Sequence, residues 1–269
     1  MGLTTKLLIG VALALLIAVF GFGWHLKGIY QGYVASTAKG DALYSSEVLA
    51  DFGQQITDEL VSKNVDVAII SRAGQPRKNL PKGVAYTHSA FFVRNDIGGY
   101  AVWNLYHGED NRLKSRLETD TPADFLRLLR EPDAGLIIPT KDTQAEIRAF
   151  IGSDDYTAMH TVDYSLISNP LDLRYQNCNE FMLYALGGMI WKTTDKAEVL
   201  SMLKHAIEPT ELDVSLVRRH FGPLIDERLI LDDHGKTVQT TTSADLAELL
   251  NNTGQLAESY RLTFKRAQD

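Results

Sequence analysis

Residues 84–106 read Val84-Ala85-Tyr86-Thr87-His88-Ser89-Ala90-Phe91-Phe92-Val93, then Arg94-Asn95-Asp96-Ile97-Gly98-Gly99, then Tyr100-Ala101-Val102-Trp103-Asn104-Leu105-Tyr106. Two runs rich in aromatic and β-branched residues flank a short Asn/Asp/Gly link, the pattern of an antiparallel β-hairpin. Side chains alternate along a strand, so Tyr86, His88 and Ala90 share one face of the first arm. On the second arm Tyr100, Val102, Asn104 and Tyr106 share a face. His88 and Asn104 are polar residues inside apolar strands, a placement that costs free energy unless each is hydrogen-bonded. An imidazole on one strand and an amide on the next can meet that need together. His107, beside Gly108 and Glu109, reads as an exposed turn residue and as the second choice for orienting His88.

Upstream of the hairpin, Ser45 or Ser46 offers an N-cap to Leu49, Phe52, Ile56 and Leu60 at helical spacing. A buried strand is expected over 65–71, and Gly74, Pro76, Pro81 and Gly83 mark a long turn. Downstream, helices are expected over 123–130, 143–150, 177–191, 196–207, 214–221 and 244–250, the last capped by Ser243. Strand-like pieces lie at 136–138, 228–231 and 237–241, and 153–169 reads as loop with an extended piece at 164–167. Helices and strands do not follow βαβ order. The expected class is α+β with an antiparallel sheet.

The chain holds one cysteine, Cys178, in Tyr175-Gln176-Asn177-Cys178-Asn179-Glu180-Phe181. A lone cysteine forms no internal disulfide, and here it opens a helix for which Asn177 is the cap. The free N–H groups and partial positive charge of a helix start favour a thiolate. With an imidazole in reach it forms a nucleophile–base pair, which makes Cys178, His88 and Asn104 candidates for nucleophile, base and orienting group. The alternatives are an inert buried thiol or a metal site. The histidines His88, His107 and His160 and the run Asp232-Asp233-His234 are scattered rather than regularly spaced, so no metal and no cofactor is expected.

The N-terminus bears on location. Residues 7–24 carry no charge over eighteen positions, enough to cross a bilayer as a helix or to serve as the apolar region of a signal peptide. Trp24, His25 and Lys27 suit an interfacial boundary and favour an uncleaved anchor. Met1-Gly2 lacks the Ser or Thr at position 6 that myristoylation wants. The expected organisation is a signal peptide or anchor over 1–26, a linker over 27–44 and one domain over 45–269. The domain is expected outside the cytoplasm, anchored to an inner membrane or periplasmic. A net charge of −7 and a pI near 5.5, without basic runs, argue against nucleic acid as a partner.

A His on a core strand, a polar residue on the next strand and a later Cys opening a helix resemble the circularly permuted papain-like fold, which includes permuted NlpC-type hydrolases and lecithin retinol acyltransferase-like proteins. More closely, the runs Tyr86-Thr87-His88-Ser89-Ala90-Phe91, Trp103-Asn104-Leu105-Tyr106 and Arg174-Tyr175-Gln176-Asn177-Cys178-Asn179 resemble domain of unknown function family 2145, from bacterial envelope-targeted proteins, over about residues 45–250. The resemblance implies a thiol hydrolase or acyltransferase in which His88 deprotonates Cys178 and an acyl-thioester forms. Asn104 would orient His88, and the Cys178 N–H, aided by Gln176 or Tyr86, would hold the oxyanion. Cell-wall peptides or lipid acyl groups are the substrates it suggests. A papain-like module that binds or scaffolds without turnover is the other reading.

Overall fold

The computed structural model describes residues 41–214 and 226–265, together with positions 219, 222 and 224. The expected membrane-spanning run 7–24, residues 27–40 of the expected linker and most of the expected helix 214–221 lie outside the described residues. Among the described residues no helix is long and apolar enough to cross a membrane.

The chain opens with α1 (Ser46–Ser62), started by the Ser45 hydroxyl, which accepts from the Val48 N–H at 3.4 Å. Leu49, Phe52, Ile56 and Leu60 form its buried stripe, and Asn64 turns the chain out with a left-handed φ of 53°. Then follow β1 (Val67–Arg72), β2 (His88–Arg94), β3 (Tyr100–His107), β4 (Ser115–Asp120), the short helix α2 (Pro122–Leu126) and β5 (Asp133–Pro139). Next come α3 (Lys141–Ile151), α4 (Asp154–Ala158), α5 (Cys178–Trp191) and α6 (Lys196–Ala206). The chain ends with β6 (Thr210–Leu212), β7 (Val238–Thr240), α7 (Ser243–Asn252) and β8 (Leu256–Thr263).

Six strands form one antiparallel sheet in the order β4-β3-β2-β1-β5-β8, and β6 pairs with β7 in a separate ribbon. The protein is therefore α+β with an antiparallel sheet. The expected hairpin is β2–β3, in register Phe91 with Trp103 and Arg94 with Tyr100, closed at Gly98 with a positive φ of 88°, which only glycine adopts freely.

Side-chain alternation divides the core in two. Val67, Ile69, Phe91, Leu105 and Ile137 face α5, whose Phe181 and Leu183 are wholly buried. Ala68, Ile70, Ala90, Phe92, Val102 and Leu136 face α1 and α2. Burying one such Phe or Leu stabilises the fold by roughly 2 kcal/mol, so these two layers hold the sheet from both sides.

Several expectations change. The strand over 84–93 begins only at His88, because 84–87 belong to the approach loop. The piece 228–231 is a turn and loop, not a strand, with Arg228 drawn to Asp226. The expected loop 153–169 contains α4, and β4 and β8 are strands that residue pattern did not reveal. The last helix is capped by Thr242, not Ser243, through a reciprocal capping box with Asp245.

Candidate functional site

The first group forms where β2 and β3 lie side by side. The Asn104 amide Nδ2 donates to Glu118 O and Asp120 Oδ2, both at 3.3 Å. Those acceptors orient the amide so that Oδ1 faces His88, whose Nε2 lies 3.0 Å away. Because Oδ1 only accepts, Nε2 carries the proton and Nδ1 carries the lone pair. That Nδ1 is buried and has no hydrogen-bond partner among the described residues. The imidazole stacks on Tyr106 at a ring distance of 5.0 Å and lies 5.5 Å from Phe125. Tyr106 in turn donates to Asp120 at 2.6 Å. Complete burial, with the Arg72 guanidinium nearby, holds His88 well below the usual histidine range despite the Asn104 bond. His88 is held in its neutral form.

The second group is the start of α5. The Asn177 side chain accepts from the Glu180 N–H at 3.0 Å, and Phe181 N–H bonds Asn177 O. The N–H groups of Cys178 and Asn179 are thus the helix's candidates for holding an oxyanion. Cys178 is 2 % exposed, and its Sγ contacts Thr87 O at 3.8 Å. In a planar peptide the carbonyl oxygen lies about 2.8 Å from the next Cα, which puts Sγ within about 7 Å of the His88 Cα. The imidazole leans toward Tyr106 and Phe125, in the layer under α1 and α2, whereas Cys178 belongs to the layer under α5. The two residues are neighbours at one end of β2, His88 on the strand and Cys178 at the start of α5, and their side chains lie in different layers.

A pocket opens at Cys178. Tyr86, Thr87, Leu166, Asn177, Asn179 and Thr241 are among its walls, whereas His88, Asn104 and Gln176 are not. The N-terminus of α7 borders it as well, through Thr241 and Thr242. Two helix starts therefore border the pocket, and both dipoles favour negative charge within it.

The supporting residues take other positions. Gln176 accepts from the Thr161 N–H at 2.8 Å and donates to Met159 O at 3.0 Å, so its amide pins the loop before α5. Tyr86 lines the pocket, with its hydroxyl accepting from Arg261 Nε at 3.3 Å and its ring over Arg77. His107 is buried, not an exposed turn residue, because β3 runs to its end. Its Nδ1 donates to Gly108 O and its Nε2 accepts from Arg228, itself wholly buried and paired with Asp226. Both its nitrogens are engaged away from His88. Among the described residues no group of three or more His, Cys, Asp and Glu side chains is placed to hold a metal ion.

Three further residues bear on the site, and the first two escaped the sequence reading. Asp120 anchors both Asn104 and Tyr106, and it was hidden because β4 was not recognised. Arg72 pairs with His88 across β1 and β2, and the alternation Ala68, Ile70, Arg72 was the available signal. A third is Glu180, in the first turn of α5, which is wholly buried, and burial holds its carboxyl well above the usual range.

A family model described as "Uncharacterized protein conserved in bacteria (DUF2145)" matches residues 59–250. The chain belongs to that family. The matched span includes both groups of the site, from β1 through α7. No curated protein and no solved structure matches the chain.

Proposed function

We propose that the protein is a papain-like thiol hydrolase or acyltransferase, with Cys178 as nucleophile, His88 as base and Asn104 as the group that fixes the base. The observation that carries this reading is the imidazole: the Asn104 amide sets its tautomer and leaves a buried Nδ1 lone pair without a partner among the described residues, one residue along β2 from the Thr87 carbonyl that Cys178 Sγ contacts. In the reaction the Cys178 Sγ–H proton passes to His88 Nδ1 while sulfur attacks a carbonyl carbon. The tetrahedral oxyanion is held by the N–H groups at the start of α5. Its collapse expels the leaving amine or alcohol with the proton from His88. Water or a second acceptor then releases the acyl group from the thioester. The first proton transfer requires base and thiol within hydrogen-bond reach, so His88 and Cys178, whose side chains occupy different layers here, must approach one another for the reaction. A buried helix that opens on Cys178 and packs on the strands bearing His88 and Asn104, with His before Cys in the chain, supports the permuted papain-like description. Residues 7–24 act as a membrane anchor or signal segment in this reading. The domain works outside the cytoplasm, on cell-envelope peptides or acyl groups.

Alkylation of Cys178 by iodoacetamide tests the pair. At pH 7 the wild-type thiol is expected to react roughly tenfold faster than in His88→Gln, because a neutral imidazole that reaches the thiol accepts its proton as sulfur attacks the probe. Equal rates in the two folded proteins would overturn the catalytic reading. The position of His88 outside the pocket wall would then favour a binding module.

A further inference from the structure

The polar side chains around the pocket at Cys178 are nearly all engaged with the protein. Tyr86 accepts from Arg261, and the Thr87 hydroxyl accepts from the Gly74 N–H at 2.8 Å. Asn177 caps α5 and donates to Thr240 Oγ at 3.2 Å, while Thr242 caps α7. Two atoms differ. Asn179 Nδ2 donates to Thr241 O at 3.2 Å, which orients the amide and leaves Oδ1 buried with no partner among the described residues. Thr241 Oγ1 is likewise buried without a partner. Asn179 is 6 % exposed and Thr241 2 % exposed, and both line the pocket. Buried polar atoms are rarely left unsatisfied, so two in one pocket wall ask for a ligand that satisfies them.

Their chemistry indicates which ligand. Asn179 Oδ1 can only accept, and the Thr241 hydroxyl can donate. A peptide group offers the complement, an N–H and a C=O. No Lys, Arg, Asp or Glu lines the pocket, and Leu80, Pro81, Val84, Leu166, Ile167 and Leu212 supply apolar walls. The pocket is half open to solvent, and its inner volume is about 50 Å³, a third of the roughly 150 Å³ that admits a benzene ring. That inner volume suits a methyl or ethyl group and is too small to bury an aromatic side chain or a long acyl chain whole.

We propose that this pocket is an amide subsite, in which Asn179 and Thr241 hold a neutral peptide group bearing a small apolar substituent next to Cys178. The proposal rests on the thiol reading for its chemistry and narrows that reading's substrates to amides with small side chains. The binding itself does not require the thiol.

The test uses the full chain carrying Cys178→Ala, titrated by NMR with N-methylpropionamide, methyl propionate, propionate and methyl decanoate. The amide is expected to bind saturably at millimolar concentration, and the ester, which lacks the N–H, about tenfold more weakly, the value of roughly one hydrogen bond. Propionate should bind no better than the ester. Asn179→Leu should erase the preference for amide over ester. Thr241→Val, which keeps the shape of the side chain, should weaken the amide severalfold. Equal binding of amide and ester, a preference that survives Asn179→Leu, or tighter binding of the decanoate than of the amide would overturn the proposal. The last outcome would point to a lipid acyl group. An amide preference together with uncoupled Cys178 alkylation would leave the subsite standing and remove only the catalytic reading. Coupled alkylation with no amide preference would do the reverse.

Discussion

Replacing Asn104 by Leu removes the group that sets the state of His88 while keeping much of its volume. In the native fold Asn104 Oδ1 accepts from His88 Nε2 at 3.0 Å, and its Nδ2 donates to Glu118 O and Asp120. Glu118 is partly exposed, so its carbonyl regains a partner from water. His88 has no such route, being 0 % exposed. An orphaned buried donor costs about 1 to 3 kcal/mol, and about 2 kcal/mol is expected here. For a domain of this size that lowers Tm by about 4 to 8 °C. With Asn104 gone nothing holds the proton on Nε2, and a proton on Nδ1 would abolish the capacity of the ring as a base toward Cys178. Urea unfolding measures the first effect, and nitrogen NMR of the imidazole together with the rate of Cys178 alkylation measures the second. The wild-type ring should show a protonated Nε2 and an unprotonated Nδ1. A wild-type proton on Nδ1, or a variant within about 0.5 kcal/mol of wild type, the range of ordinary surface changes, would refute the reasoning.

Acid should weaken the fold before the carboxylates titrate. Burial holds His88 well below the usual range and brings His107 and His160 to about 4. The unfolded chain therefore takes up protons near pH 6.5 that the folded chain refuses, and stability falls as pH drops from 6.5 toward 4. Glu180 works in the opposite sense, because its raised folded value favours the folded state at low pH. The net slope between pH 4.5 and 6.5 is expected at about 1 to 2 kcal/mol per pH unit, and a flat or inverted curve in urea titrations would count against it. Gly135→Ala should cost about 1 to 3 kcal/mol by overpacking, since the new Cβ would lie 2.6 Å from the Tyr86 ring; unchanged urea stability would contradict that contact. A C-terminal fusion to a reporter active only outside the cytoplasm should be active, and activity from a cytoplasmic reporter alone would overturn the assigned side.

The elements that could be read in advance are those whose residues repeat the demands of burial. The stripe of α1, the apolar run of β1 and the two arms of the hairpin carry their periodicity openly. Asn177 likewise announced the start of α5, and the packing of that helix on β2 and β3 agrees with its apolar composition. β4 and β8 were illegible because they are the two outer strands of the sheet. Ser115-Arg116-Leu117-Glu118-Thr119-Asp120 alternates charge with little apolar content, as suits a strand half in water. β8 has the same character, with Glu258, Ser259 and Arg261 exposed. Within the site, the union of His88 with Asn104 could be anticipated from two polar residues on facing strands. Their dependence on Asp120 could not, because it required knowing where β4 lay. Gln176 was misjudged because short-range sequence gives no sign that a loop fifteen residues earlier will claim an amide.

Nearly every residue of α5 is buried, and part of its cover comes from α7, which is made some sixty residues after Cys178. On a ribosome or through a translocation channel the chain emerges N-terminus first. The hairpin bearing His88 can pair as soon as it appears, since its contacts are close in sequence. α5 has no such freedom: a helix apolar on all sides has nowhere to lie until the later segments arrive. The thiol thus stays bare during synthesis and meets its final surroundings only when residues 243–252 have been delivered. Any activity of Cys178 is therefore a property of the completed fold, and a chain interrupted before α7 would display a reactive sulfur and a sticky helix together.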